Sequence, residues 1–302
     1  MDGLSNTATS TAQERVEPKG VITPRQLVWK QFKKNRLALI GMCVLIFFVL
    51  LAIFAPVLST HERDAYDLTR AEEPPSSEHY MGTDEIGRDI YTRLLHGGRV
   101  SLSVGIVATG IQLVIGIILG SLAGYKGGTT DTIIMRLTDM FLAFPFLAMA
   151  ITIAAVLGPS IYNTMIVIGI LSWPRTCRII RGEFLKIKNT DYVRAAKALG
   201  LRELKLVARH MIPNALPPLI VNATLSMATA VLVEAGLSFL GLGVVPPQPS
   251  WGNMLEIARN LRIVENFWWM YVPPGLMIFL TVLSINLVGD GLRDALDPRL
   301  KQ

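Results

Sequence analysis

The sequence predicts an all-α polytopic membrane protein with six transmembrane helices. Three observations carry that reading. Hydrophobic residues make up 51% of the 302 and charged residues only 17%, where a soluble domain carries about 25% charge. The apolar residues are bunched, so that 37–60, 100–125, 141–174 and 211–233 contain no Asp, Glu, Lys or Arg. About 20 apolar helical residues cross the ~30 Å hydrocarbon core. Polar or Gly/Pro-rich stretches separate the runs. A soluble enzyme, a disordered chain and a single-span anchored domain are excluded.

Residues 1–36 are polar and read as a mobile tail ending in a basic stretch with Lys30, Lys33, Lys34 and Arg36. The first span, 37–58, is longer than the apolar region of a signal peptide and is therefore retained. Pro56 falls near its far end, where a helix tolerates proline. The segment 59–99 is rich in acid, with nine Asp and Glu from Glu62 to Asp89. Span two covers 100–124. A short turn with Gly124, Gly127 and Gly128 makes span three, 132–157, antiparallel to it. Gly158 and Pro159 separate span four, 161–181. A basic loop, 182–212, leads to span five, 213–234. The Gly/Pro-rich loop 241–267 breaks the chain before span six, 268–289. A charged tail, 293–302, ends it.

Six spans put both termini on one side, and the basic residues decide which. Twenty-two Lys and Arg fall with the termini and the 182–212 loop, and seven on the other side. The positive-inside bias places both termini in the cytoplasm. The net charge of +6 then reflects retained loop charge and implies lipid contact, with no nucleic-acid partner. Trp268, Trp269 and Tyr271 mark the outer interface, and Trp29 and Trp173 the inner one. Gly105, Gly110, Gly116 and Gly120 recur along span two and allow close helix contact, within the bundle or with a second subunit. Cys43 and Cys177 form no cluster and read as two small buried hydrophobes.

The basic loop is longer than a connector needs. Asn189, Thr190 or Asp191 can cap a helix over 191–199, Gly200 suits its end, and a second basic turn covers 202–209. Pro213 opens span five. One reading is an interfacial helix on anionic lipid. The other is a docking surface, because Ala195, Ala196 and Ala198 let another protein approach closely.

The spacing of Ala195, Ala196, Gly200 and Pro213 resembles the coupling loop of ATP-binding-cassette (ABC) importer permeases. This chain departs from that pattern in carrying Arg194 where Glu is usual and His210 where Ile is familiar. Further resemblances narrow the family to the "C"-type permeases of the dipeptide/oligopeptide/nickel group. They are Gly82 to Arg93 before span two, Ile134 to Pro145 in span three, Leu237 to Gly243 with Pro246, Pro247, Trp251 and Gly252, and Gly289 to Pro298. Together they cover almost the whole chain after residue 30.

The resemblance implies a type I importer permease fold, with the core permease domain over 100–292. It implies a second permease subunit that completes the pore, two cytoplasmic ATP-binding subunits, and an extracytoplasmic substrate-binding protein facing 59–99 and 241–267. Asp191, Arg194, Ala195, Ala196, Gly200 and Pro213 would form the ATPase-coupling loop. Di- or oligopeptides are the implied cargo, with nickel complexes, glutathione or another small solute as alternatives.

The chain lacks a Walker A pattern, GxSxG and HExxH. His61, His79, His96 and His210 are scattered. We therefore expect no catalytic constellation, no metal site and no cofactor on this chain, with ATP and Mg²⁺ on partner subunits. Ionisable groups inside spans are functional candidates, and two sets stand out. Arg136 and Asp139 share a helix face at i,i+3 and suit a structural ion pair. Glu234 follows 23 uncharged residues and has two readings. It faces the outer translocation path or its gate, or it is an interfacial carboxylate holding the Gly/Pro loop. A secondary transporter using Glu234 or Asp139 as a proton site is a distant alternative.

Overall fold

The computed structural model describes residues 24–296. The outer parts of both predicted tails, 1–23 and 297–302, lie outside the described residues. Among those described, the architecture is helical throughout, with a single isolated bridge between Thr83 and Asp89.

The predicted tail contributes a helix, α1 (Pro24–Phe32), before the first long one, α2 (Arg36–Ile53). Asn35 caps α2 by accepting from the Ala38 amide at 3.1 Å. A short α3 (Ala55–Leu58) follows, with Pro56 in its first turn, where its missing N–H costs little. The helix of span two, α4 (Ile90–Lys126), starts ten residues earlier than the apolar run. Asp89 caps it. At 1.5 Å per residue it is about 55 Å long and outreaches a bilayer core.

The residues expected as span three do not form one helix. They form α5 (Gly128–Ala143) and α6 (Phe146–Leu157), which meet at 86°. The break falls at Phe144 and Pro145. Proline has no amide to donate and keeps the residue before it out of the helical region. The next helix, α7 (Ile161–Ile187), outruns span four, with Pro174 inside it. Then come α8 (Asp191–Ala198), α9 (Glu203–Leu206), a π turn (Val207–Met211) and α10 (Ile212–Phe239). After α11 (Trp251–Met254) and α12 (Leu261–Asn266), α13 (Trp268–Leu296) closes the described chain.

Among the described residues, four helical stretches are long and apolar enough to cross a membrane alone: α2, α4, the run Glu203–Phe239, and α13. The bent pair α5–α6 makes a fifth when counted as one span. The remaining expected span coincides with α7. It has 27 residues, but Asn163, Arg175 and Arg178 dilute its apolar stretch.

Glycine sets how closely the bundle packs. An added Cβ at Gly116 would lie 2.6 Å from Thr176 Cβ, and at Gly120 2.6 Å from the Cys177 carbonyl oxygen. Gly124 sits as tightly on Phe184, so one face of α4 seats α7. Gly105 faces Val231 of α10, whereas Gly110 has open space around it. On the other side, Gly41 lets α2 approach the Ser284 carbonyl of α13, and Gly291 of α13 accommodates Ala38 and Phe32.

Two expectations about side chains are corrected. Trp173 does not mark an interface: it is 3% exposed and packs edge-on against Phe141. Cys43 is exposed on α2 and only Cys177 is buried, because the Gly41 and Phe48 face of α2 is the one turned inward.

Candidate functional site

The hairpin made by α8 and α9 hangs from the ends of α7 and α10. Thr190 Oγ1 donates to the Ile187 carbonyl at 2.6 Å and turns the chain out of α7. Lys188 Nζ donates to the Tyr125 carbonyl at the end of α4, also at 2.6 Å. Val193, Leu206 and Met211 are buried together with Ile187 and Phe184, so the hairpin has its own apolar root. Gly200 has φ +75°, a backbone region costly to any residue bearing Cβ. It turns α8 back toward α9.

This root leaves the outer face free. Asp191, Arg194, Ala195 and Gly200 are exposed, and Ala196 is half-buried against the root. Pro213 lies apart, exposed in the first turn of α10. Leu199 and Leu204 are each 82% exposed, flanked by Lys197, Arg202 and Lys205.

The ion pair expected between Arg136 and Asp139 is not formed. Asp139 instead accepts from Arg178 Nη2 of α7 at 2.5 Å. Both residues of α5 are exposed, and α7 passes beside α5 with its arginines turned toward it. Arg181 grips Asp131 in the same way with two bonds of 2.6 and 2.7 Å. These cross-helix pairs hold α5 to α7.

Glu234 is fully buried and both carboxylate oxygens are engaged. Ser101 Oγ of α4 donates to one at 2.9 Å and Ser238 Oγ to the other at 2.8 Å. The two hydroxyls in turn accept amides of the loop. Trp251 N donates to Ser101 at 3.2 Å and Val244 N to Ser238 at 3.1 Å. Trp251 is itself 1% exposed, lies against Gly98, and donates its indole N–H to the Leu94 carbonyl at 3.0 Å.

A second polar cluster joins three helices, and none of its residues stood out in the sequence. Gln112 of α4 donates its amide to Thr176 of α7 at 2.7 Å and to Ser226 of α10 at 2.8 Å. Asn222 of α10 donates to the same Thr176 hydroxyl at 3.0 Å. Beside them opens a cleft of about 360 Å³ lined by Gln112, Ser172, Arg175, Asn222, Ser226 and Thr229, among others. The available signal was uncharged polar residues in apolar runs. Each alone is tolerable in a span. Their convergence depends on how α4, α7 and α10 are registered.

At the end of the bundle opposite the hairpin, segment 59–89 and loop 241–267 pack into one cap. Arg262 pairs with Glu72, Arg93 donates to the Pro247 carbonyl at 3.3 Å, and Gly82 seats Trp269. Between them lies a cleft of about 510 Å³ whose lining includes Asp84, Glu85, Arg88, Arg93, Glu256 and Arg259.

Membrane-length helices around an internal polar seam, with a basic hairpin at one end, define a multi-pass subunit of a membrane transporter. Residues 116–302 match the family described as binding-protein-dependent transport system inner membrane component. Residues 23–75 match the N-terminal TM domain of oligopeptide transport permease C. Similar proteins include the dipeptide transport system permease protein DppC of Alkalihalophilus pseudofirmus, 42% identical over 93% of this chain and 91% of that protein. The di/tripeptide transport system permease protein DppC of Pseudomonas aeruginosa is 44% identical over 92% and 93%. The oligopeptide transport system permease protein OppC of Bacillus subtilis is 40% identical over 91% of each chain. An inward-facing structure of the MetNI methionine ABC transporter shares the fold, with a TM-score of 0.54 at 20% identity over 68% of this chain and 96% of that one. The chain therefore belongs to the family of binding-protein-dependent transport system inner membrane components, multi-pass proteins of the inner membrane.

Proposed function

We propose that this chain is one of two permease subunits of an ATP-driven importer for di- or oligopeptides. The observation that carries it is the exposed hairpin at Leu199 and Leu204, rooted through Val193 on the ends of α7 and α10. A rooted hairpin transmits a push from an attached ATPase directly into two long helices. ATP, with Mg²⁺, binds two partner subunits in the cytoplasm. Binding there shifts the permease between states only through contacts that differ between them. The hairpin contacts are the ones available to differ.

Both termini and the hairpin face the cytoplasm, in keeping with the basic residues gathered there. The cap then faces outward and receives a substrate-binding protein on its charged cleft. The Gln112, Asn222 and Ser226 seam lines this chain's half of the path, and a second permease supplies the other half. Glu234 anchors the 241–267 loop to α4, the second of its two sequence readings. Peptide cargo is supported by the names of the relatives above. A proton-coupled transporter fits less well, because Asp139 is held by Arg178 and Glu234 is enclosed away from the polar cleft.

The test is to purify a tagged chain from its native membrane. A P-loop ATPase and a second multi-span protein should co-purify in stoichiometric amounts. Recovery of the chain alone, under conditions that preserve its fold, would sink the proposal.

A further inference from the structure

The cap holds a group of side chains that the transport reading does not use. His61 and His79 are far apart in sequence, yet their rings stack with centroids 4.5 Å apart and planes inclined by 22°. His61 lies just after α3, where the first long helix ends. Asp89 stands beside both. Its Oδ1 accepts from His79 Nδ1 at 2.9 Å and lies 3.8 Å from His61 Nδ1. Its Oδ2 accepts the Thr92 amide at 2.7 Å and so caps α4. Thr60 Oγ1 lies 3.0 Å from His61 Nδ1.

Each imidazole therefore has its Nδ1 engaged by oxygen and its Nε2 left over. A carboxylate that accepts only can bond His79 solely through Nδ1–H, which fixes Nε2 as the lone-pair nitrogen. Carboxylate behind histidine is the arrangement that orients metal-ligating imidazoles. Glu78 completes the group. One ligand atom from each of His61, Glu78 and His79 lies within 4.8 Å of the other two. They line a cavity of about 150 Å³ shared with Tyr66 and Arg70, which is room for an ion with one or two waters.

We propose that His61, Glu78 and His79 bind a single divalent transition cation of the zinc class, with Asp89 orienting His79 from behind. Two imidazole nitrogens and one carboxylate suit Zn²⁺ and its neighbours, with water in the fourth position. Mg²⁺ and Ca²⁺ prefer all-oxygen shells. Closing on an ion at about 2.0–2.2 Å asks most of Glu78, whose side chain is 61% exposed. Its present partner, Arg70 Nη1 at 2.5 Å, must yield, while Arg70 keeps its bonds to Glu73. The bound ion would clamp the chain leaving the first span to the capped start of α4. It is a resident structural ion, outside the path of the cargo. The sequence reading expected no metal site because the four histidines are scattered along the chain.

The test uses the full-length chain in detergent, carrying no histidine tag and stripped with a chelator. Equilibrium dialysis against Zn²⁺ should load one ion per chain and raise the melting temperature, with Mg²⁺ inert. Glu78→Gln and His61→Gln, both at accessible positions, should each weaken Zn²⁺ binding at least tenfold without lowering the melting temperature of the metal-free protein. Arg70→Gln should tighten it. A wild-type chain that takes up no Zn²⁺ overturns the proposal. So do Gln variants that load one ion with unchanged affinity, since the ion would then sit elsewhere.

Discussion

Ser101 of α4 and Glu234 of α10 meet at 2.9 Å in a contact sealed from solvent, and the same serine hydroxyl accepts the Trp251 amide. One hydroxyl thus links two long helices to the loop that follows the second. Glu234→Ala would leave the O–H donors of Ser101 and Ser238 without their acceptors while both oxygens still accept loop amides, and each buried unmet group costs about 1–3 kcal/mol. The variant should melt several degrees lower in detergent and expose the 241–267 loop to protease. Glu234→Gln keeps one of the two acceptor oxygens, and its amide N–H can donate to the other serine, so it should lose less than Glu234→Ala in both measurements. Equal losses in both variants would point to a role for the negative charge itself.

The three-helix seam separates transport from folding. Gln112→Leu removes both amide bonds but leaves Asn222 on Thr176. Side-chain bonds between membrane helices average about 0.6 kcal/mol, so the variant should insert and assemble normally. Uptake should fall several-fold, because an apolar group replaces a polar one on the cleft. Thermal melting and uptake measured on the same preparation check this.

The packing of α4 on α7 makes a paired prediction. Gly120→Val drives a side chain into the Cys177 carbonyl and Ile180, and overpacking of this kind costs about 1–3 kcal/mol. Gly110→Ala meets nothing within 4 Å and should gain slightly through helix propensity. The melting temperatures should move in opposite directions.

Leu204→Asp on the hairpin should leave the chain folded, since the side chain is 82% exposed, and should abolish co-purification of the ATPase. Gly200→Pro should do the same for a different reason. Proline fixes φ near −65° where the turn needs +75°. Quantitative pull-down against a membrane-insertion control separates loss of docking from loss of protein.

Composition revealed much of this fold because lipid forces long apolar runs. The hairpin was readable too, since Gly200 and the flanking helix formers act locally. Other features were not. The 86° bend at Pro145 joins two apolar halves, and hydropathy records composition, not direction. Asp139 takes Arg178 and leaves Arg136, since spacing on one helix says nothing of what a neighbouring helix brings. Gln112, Asn222 and Ser226 look unremarkable singly and become a site only when three helices are in register. His61 and His79 meet only through the fold of the cap.

Uptake by the reconstituted complex tests the central claim most directly. Proteoliposomes would hold this chain with its co-purifying permease, ATPases and binding protein, and accumulation of a labelled di- or tripeptide would be followed. Peptide should accumulate only with ATP, and Leu204→Asp in this chain alone should abolish accumulation. Uptake that proceeds without ATP, or that survives Leu204→Asp, would contradict the account.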